Sequence, residues 1–312
     1  AEISARWECI DIDGFSSGEL ITAIERGRGY DALKCRAGIP LTREVLERAT
    51  ANTLEQPLRL AARAASGLDT FDLDTARDLG VAVRATSGSN AGAVAELTVA
   101  LMLDGLRGVS RRNMALHRGD WPTSIADLPT RSLSESRVGL VGTGSIAREL
   151  ARRLEAFGAE VWVCGSARFT ADRAAGWPAR RTDSLGELLA HCDVVSVHVP
   201  GTRETTGLIG LAEMRSMKPG SLLINTSRAS VVSEDDLDAA LRDSECGLSH
   251  ACVDVFAREG ARFTSPLAGN PHATLTPHMA GMTWSAMHAA STRLLEEFAR
   301  FYAPSAPTGA VR

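Results

Sequence analysis

The chain has 312 residues, 44% hydrophobic and 23% charged, an ordinary globular composition that excludes fibrous, collagen-like and wholly disordered architectures. A formal net charge of -4 with a pI near 6.0 leaves no global positive field to hold nucleic acid or an anionic membrane, so neither is expected as a partner. The longest apolar stretch, residues 91–109, is interrupted by Glu96 and Asp104 and cannot supply the ~20 apolar residues of a spanning helix; residues 1–4 carry no basic-then-apolar signal, and the expected location is cytoplasmic.

In chain order, Trp7 to Asp13, Tyr30 to Arg36 and Arg59 to Ala64 read as strands, with helices from Leu41 to Thr50 and Leu73 to Leu79. They make a smaller α/β unit. A long helical segment from Asn90 to about His117 follows, apolar at Val94, Leu97, Leu101 and Leu103, and its wide face is expected to pack between domains or subunits. From Ser136 onward, short β-branched runs alternate with helix-period stretches, the pattern of a parallel sheet covered on both faces. The runs are Val138–Val141, Glu160–Val163, Asp193–Val199, Ser221–Asn225, Ser249–Val253 and Ala273–Thr276. A final helix, Trp284 to Phe301, is long enough to swing back onto the first domain, with Gly88-Ser89 and Gly281-Met282 as hinges and Pro304 to Arg312 as a loose tail.

The fold class is therefore α/β: a doubly wound parallel-sheet (Rossmann) dinucleotide-binding domain over 89–284, and a smaller flavodoxin-like substrate domain built from 1–88 and 285–312. Cys9, Cys35, Cys164, Cys192, Cys246 and Cys252 are scattered, with no Cys or His at metal-ligand spacing. They read as small buried hydrophobes, and no metal is expected.

Val138-Gly-Leu-Val-Gly142-Thr143-Gly144-Ser145-Ile146-Ala147 is a strand, a glycine-rich turn and the start of an amphipathic helix. Gly142 permits the tight turn, Gly144 lets backbone approach a pyrophosphate, and Ser145 and Ile146 open a helix whose N–H groups and dipole favour phosphate. The following strand ends at Cys164-Gly165-Ser166-Ala167-Arg168. An NAD site usually places Asp or Glu there, to accept from the ribose 2′-hydroxyl and repel a 2′-phosphate. Gly165 removes that repulsion, and Ser166 and Arg168 can grip the phosphate, so NADP(H) is the expected cofactor, with NAD(H) as the alternative.

Ser66-Gly67-Leu68-Asp69, Asn90 with Val94-Ala95-Glu96, Gly142-Thr143-Gly144, His198-Val199-Pro200, Met217-Lys218-Pro219-Gly220, Ile224-Asn225-Thr226-Ser227-Arg228, Asp254-Val255-Phe256 and Thr276-Pro277-His278 together resemble the D-isomer-specific 2-hydroxyacid dehydrogenases. The resemblance runs from about Tyr30 to the C-terminus. It implies an active site in an interdomain cleft, usually in a homodimer, and interconversion of a small 2-keto acid and a D-2-hydroxy acid. The family's first strand and helix have no counterpart in it, which predicts a trimmed N-terminal domain.

By the same resemblance Arg228 is the catalytic arginine that anchors the substrate carboxylate, His278 the acid–base residue and Glu259 its acidic partner. A carboxylate beside imidazole fixes the tautomer and favours imidazolium. The loop Ala257-Arg258-Glu259-Gly260 departs from the family, where an acid and a proline are more usual. Val199, Pro200, Thr205, Thr226 and Gly281 fall on cofactor-binding positions, and Asp254 is expected to face the nicotinamide carboxamide. Ser66 and Gly67 match the loop that binds the substrate carboxylate through backbone N–H groups, and Arg36 could reach the substrate's distal group. His198 is expected to order its strand end. Two other functions compete: a dinucleotide-sensing module like the related corepressors, disfavoured because no extra segment is present, and a formate- or phosphite-type dehydrogenase, the former of which pairs its His with Gln.

Overall fold

Ser16-x-x-Glu19 opens the first helix of the computed structural model, which describes residues 8–12, 16–35, 39–65, 67–124, 130–166 and 169–303. The Ser16 hydroxyl accepts from Glu19 N at 3.3 Å, and the Glu19 carboxylate accepts from Ser16 N at 3.0 Å, so α1 (Ser17–Arg26) starts on a reciprocal cap. Leu20 and Ile24 bury its inner face. The strand expected from Trp7 to Asp13 is not formed over the described residues 8–12. Ile10 is 59% exposed there, while Ile12 packs partly buried against the core of the first unit.

The rest of this unit runs β1 (Ala32–Cys35), α2 (Arg43–Ala49), β2 (Leu60–Arg63), α3 (Leu73–Asp78) and β3 (Ala82–Ala85). The three strands pair in parallel in the order β1-β2-β3.

The second unit spans Ala91–Thr283. It holds α4 (Ala91–Arg107), α5 (Val109–His117), β4 (Arg137–Val141), α6 (Ser145–Ala156), β5 (Glu160–Cys164), α7 (Ala171–Ala174), β6 (Arg180–Thr182), α8 (Leu185–His191), β7 (Val194–Val197), α9 (Leu211–Arg215), β8 (Ser221–Asn225), α10 (Glu234–Arg242), β9 (Leu248–Val253) and β10 (Ala273–Leu275). Its seven strands are all parallel, ordered β10-β9-β8-β7-β4-β5-β6. Chain order reverses between β4 and β7, and open α/β sheets bind ligands beyond the carboxyl ends of the strands at such a point. One apolar core lies under α8, α9 and α10, and the other under α4 and α6. The chain then returns through α11 (Trp284–Phe301) to the first unit, Ala1–Asn90 with Trp284–Arg312. There Arg293 Nη1 donates to Ser87 O at 2.8 Å, and Arg84 Nε meets Glu297 Oε2 at 3.4 Å.

The helix expected from Asn90 to His117 is two helices. Gly108 takes a left-handed φ of +61° between them, and the Asp104 carboxylate accepts from Ser110 N at 2.6 Å to cap the second. Val94 and Leu101 are buried, and Leu97 and Leu103 pack with Leu101 on a core of the second unit. In contrast, α5 buries no residue, and Val109, Met114, Leu116 and the nearby Trp121 are exposed. Cys9 is also exposed, against expectation, while the other five cysteines are buried. No helix among the described residues is long and apolar enough to cross a membrane.

Asp193, just before β7, fastens the amino end of the large sheet. Its Oδ2 accepts from Arg137 N at 2.8 Å at the start of β4, and its Oδ1 meets Lys218 Nζ at 2.5 Å and Arg131 Nη1 at 3.0 Å. Burial works to raise this carboxyl, but the Lys218 hydrogen bond, the Arg137 amide and the two cations outweigh it and hold it below the ordinary carboxylate range. A depressed acid contributes stability above its unfolded value and loses it as pH falls through the folded one. Asp193→Asn should cost about 1–3 kcal/mol at neutral pH, and the gap to wild type should close on acidification below about pH 4, as read by urea unfolding across pH.

Candidate active site

The turn after β4 is set by backbone contact. Gly142 has φ +119°, and a Cβ there would lie 2.4 Å from the carbonyl oxygen of His198, which follows β7. Gly144, by contrast, is exposed with nothing within 4 Å of a Cβ, so the approach to the amino end of α6, at Ser145 and Ile146, is open to a pyrophosphate. His198 is buried: its Nε2 pairs with the Ser196 hydroxyl at 2.9 Å, and burial pushes the ring down to about 4, so it is neutral. Its Nδ1 has no hydrogen-bond partner among the described residues. Val199 Cγ1 packs 3.2 Å from the Gly142 Cβ position. Thr205 Oγ1 donates to Pro200 O at 2.5 Å and accepts from Thr202 N at 2.8 Å, closing the loop beyond β7. At the end of β8, the Thr226 hydroxyl meets that of Thr98 on α4 at 3.2 Å. The open Gly144 turn, the helix terminus and the neutral histidine beneath them fit a dinucleotide.

Gly165, at the end of β5, has a second physical cause. A Cβ there would lie 2.4 Å from Thr143 Cγ2 and 3.0 Å from Phe169 Cβ, so packing as well as electrostatics favours the absence of the acid that NAD sites usually carry here. Ser166 is exposed beside it, and Arg168 lies outside the described residues.

Arg228 is carried on a braced turn. Asn225, the last residue of β8, accepts on Oδ1 from Ser227 N at 3.0 Å and from Ser227 Oγ at 2.9 Å, and donates from Nδ2 to Arg228 O at 3.0 Å. The guanidinium donates through Nη1 to Ser227 O at 2.7 Å.

Asp254, fully buried after β9, accepts on Oδ1 from Thr276 Oγ1 at 2.6 Å and Met279 N at 3.0 Å, and on Oδ2 from Ala280 N at 2.9 Å. Between these anchors His278 takes φ +49°, left-handed for a residue with a side chain, and strain of that kind clusters at functional sites. Its Nδ1 lies 2.9 and 2.8 Å from the two oxygens of Glu259. An ionised carboxylate can only accept, so Nδ1 carries the hydrogen and Nε2 is left to exchange protons with a reacting group. Glu259 Oε1 also accepts from Phe256 N at 3.0 Å. The sequence reading brought Glu259 to His278 but missed the Asp254 anchor; an Asp directly after a buried strand, paired with a Thr two residues before the His, was the available signal.

In the first unit, Arg63 is buried at the end of β2. Its Nη1 donates to Gly67 O at 3.3 Å and its Nη2 to Ile39 O at 2.7 Å and Thr70 Oγ1 at 2.8 Å, while the guanidinium sits 4.4 Å over the Phe71 ring. Gly67 is thus held from below; Ser66 and Arg36 lie outside the described residues.

Residues 99–280 match the family model for the D-isomer specific 2-hydroxyacid dehydrogenase NAD binding domain. The chain is 36% identical over 260 residues to a (S)-sulfolactate dehydrogenase of Chromohalobacter salexigens, covering 83% of this chain and 81% of that protein. It is 33% identical over 297 residues to a D-3-phosphoglycerate dehydrogenase of Mycobacterium tuberculosis, covering 95% of this chain but 52%, about half, of that longer protein. Among solved structures, the holo form of Rhodotorula graminis D-mandelate dehydrogenase superposes with a TM-score of 0.84 at 28% identity, covering 96% of this chain and 89% of that one.

Gly142→Ala should therefore fail twice over, since its methyl group meets a backbone carbonyl and its φ is strained. The expected result is a loss of about 1–3 kcal/mol in thermal or denaturant unfolding and a collapse of dinucleotide affinity in a fluorescence titration.

Proposed function

The chain belongs to the D-isomer specific 2-hydroxyacid dehydrogenase family, whose chemistry is hydride transfer between a nicotinamide nucleotide and a 2-hydroxy acid, and from that premise we propose that Arg228, His278 and Glu259 carry this reaction on a small 2-keto acid and its D-2-hydroxy acid. The observation that supports the assignment most is the His278–Glu259 contact at 2.8 Å, on a backbone turn strained to φ +49°. Arg228 holds the substrate carboxylate in its planar fork and polarises the adjacent ketone. His278 gives its Nε2 proton to the ketone oxygen, and takes one from the hydroxyl in the reverse direction. Glu259 keeps Nδ1 protonated and stabilises the imidazolium. Gly67 with Ser66, through backbone N–H groups, and Arg36, toward a distal group, complete the substrate contacts. Two of the three named relatives, the sulfolactate and phosphoglycerate dehydrogenases, are named for hydroxy acids with a second anionic group, which gives Arg36 a chemical reason.

When bound, the nucleotide supplies or accepts the hydride. Gly142, Gly144, Ser145 and Ile146 receive its pyrophosphate; Val199, Pro200 and Thr205 line the loop beyond β7; Thr226, Asp254 and Gly281 lie on the nicotinamide side. Asp254 reaches the carboxamide while also anchoring the His278 loop. In this reading Arg36, Ser66 and Gly67 contribute from the first unit, while the nucleotide-binding residues and Arg228, Glu259 and His278 belong to the second. NADP(H) is the preferred cofactor, because no carboxylate stands at Gly165 to repel a 2′-phosphate and Ser166 and Arg168 follow it. The partner in this reading is a second copy of the chain, and α5, a nine-residue helix that buries no residue, is the face it would cover.

Arg228→Ala and His278→Ala should each lower kcat on the best of a panel of 2-keto acids, beginning with glyoxylate and hydroxypyruvate, by about 10²–10⁴-fold while leaving dinucleotide affinity nearly intact. A wild-type kcat in His278→Ala overturns the acid assignment.

Cofactor choice is separable from this. Arg168→Ala should weaken NADPH, but not NADH, by about one to two decades, the ~1.5–3 kcal/mol of a charged contact. An acid at 165 needs the Thr143 methyl group removed, so Gly165→Asp with Thr143→Ala should move kcat/KM toward NADH. Equal kcat/KM for the two cofactors, unmoved by Arg168→Ala, means that the loop does not read the phosphate.

A further inference from the structure

Resting on that reading, we infer that Glu234 is a positioning residue: it clips together the two ends of the exposed loop that carries Glu259 and so holds the Glu259–His278 pair in register. The loop from Ala257 to residue 264 is exposed throughout. Its internal ties are few: Phe263 N donates to Gly260 O at 3.0 Å, and the Phe263 ring stands edge-on to Phe256 at 5.0 Å. Where the family more usually has a proline after the acid, this chain has Gly260 at φ +87°, a conformation closed to proline, so the ring's stiffening of the loop is absent.

Glu234 supplies a different restraint. Its Oε1 accepts from Ala257 N at 2.7 Å, where the loop begins, and its Oε2 accepts from Ser265 Oγ at 2.6 Å, where the loop ends. Ser265 Oγ in turn accepts from Leu267 N at 3.2 Å, and Leu267 is fully buried. The base of the clip is firm, because Glu234 is the first residue of α10, a helix capped by Ser233 and buried through Leu237, Ala240 and Leu241. The amide of Phe256, next to Ala257, donates to Glu259 Oε1, the same oxygen that His278 Nδ1 contacts. The start of the loop and the catalytic carboxylate are thus fixed by adjacent amides. Glu234 also lies six residues after Arg228, on the segment that begins with the proposed carboxylate anchor. Asp235, beside it in the same helical turn, is exposed and shares the favourable charge at the helix start without the clip.

The test uses the full chain with glyoxylate or hydroxypyruvate and either nucleotide. Glu234→Ala should lower kcat by about tenfold to a hundredfold, the cost of a small misplacement, with dinucleotide affinity within about twofold of wild type. Glu234→Gln should restore most of it, since its Oε1 can accept from Ala257 N while its amide donates to Ser265 Oγ. Asp235→Ala should change nothing. Glu234→Ala placed on Glu259→Gln should lower kcat no further than Glu259→Gln alone, because the clip acts only through Glu259. Independently of turnover, amide exchange at Phe256 should quicken in Glu234→Ala and stay protected in Glu234→Gln. If Glu234→Ala does not fold, Ser265→Ala removes one leg of the clip and should give the same non-additive loss at smaller amplitude. A loss that adds in full to Glu259→Gln, a loss that the Gln variant shares, or a wild-type kcat in Glu234→Ala overturns the clip alone. No turnover by wild type on any 2-keto acid, or no effect of Glu259→Gln, overturns the reading beneath it.

Discussion

A buried carboxylate organises the part of the second unit that carries His278. Asp254 is removed from water at the end of β9, and a charge in that position persists only if it is met by donors. The donors come from one short segment, the Thr276 hydroxyl and the amides of Met279 and Ala280, so satisfying the charge dictates the path of the chain on both sides of His278. A left-handed residue costs roughly 1–2 kcal/mol, whereas each hydrogen bond to a charged group contributes about 1.5–3 kcal/mol. The anchor wins, and His278 is held at φ +49° with its ring on Glu259.

The same logic divides the large sheet between its two edges. At the amino edge Asp193 draws together the starts of β4 and β7 and the turn before β8, using two cations and one amide. At the carboxyl edge, beside the longer reach of Asp254, several ties run from side chain to backbone over two or three residues, as in the Asn225 brace under Arg228 or the Thr205 closure beyond β7. Short-range ties fix a loop's shape without using the outward side chains. Parallel strands, whose carboxyl ends all face one way, therefore collect Gly142, Arg228, Glu259 and His278 along one edge while the opposite edge carries the stabilising ion pairs.

Elements buried on both faces were legible in the sequence because continuous apolar runs leave little choice: β8 spans the five residues read for it, and β4, β5 and β9 differ by one residue at an end. Short and marginal elements were not. The three-residue β6 has a single buried residue, and β3 has none, so neither carries a periodic signal. For α1 the Ser16-x-x-Glu19 cap was visible and went unread, and the run read as a strand before it was never paired. The break in the 90–117 helix depended on Gly108, whose left-handed turn is favoured by an aspartate four residues back that caps the next helix. Within the site, residue types were legible and restraints were not. Asp254 finds its partners 22 to 26 residues away and Glu234 finds its own 23 to 31 residues away; contacts of that range leave at most the pairing of Asp254 with Thr276 as a signal.

Gly165 shows how one residue can satisfy two demands and so mislead a reading based on either. Electrostatics asks only that no carboxylate stand where a 2′-phosphate would sit. Packing asks for more, since Thr143 from the glycine turn and Phe169 from the following loop occupy the volume of any Cβ. Because the packing demand is sufficient by itself, the glycine carries no information about which nucleotide is attracted; it says only that neither is repelled. In the proposed reading, attraction then comes from the residues that follow, Arg168 and the exposed Ser166. Of the two, the cation dominates, since a hydrogen bond to a charged group gains about twice what a neutral one does and is screened by salt as the neutral one is not. On the proposed reading, discrimination between the nucleotides therefore rests on Arg168 and not on Gly165.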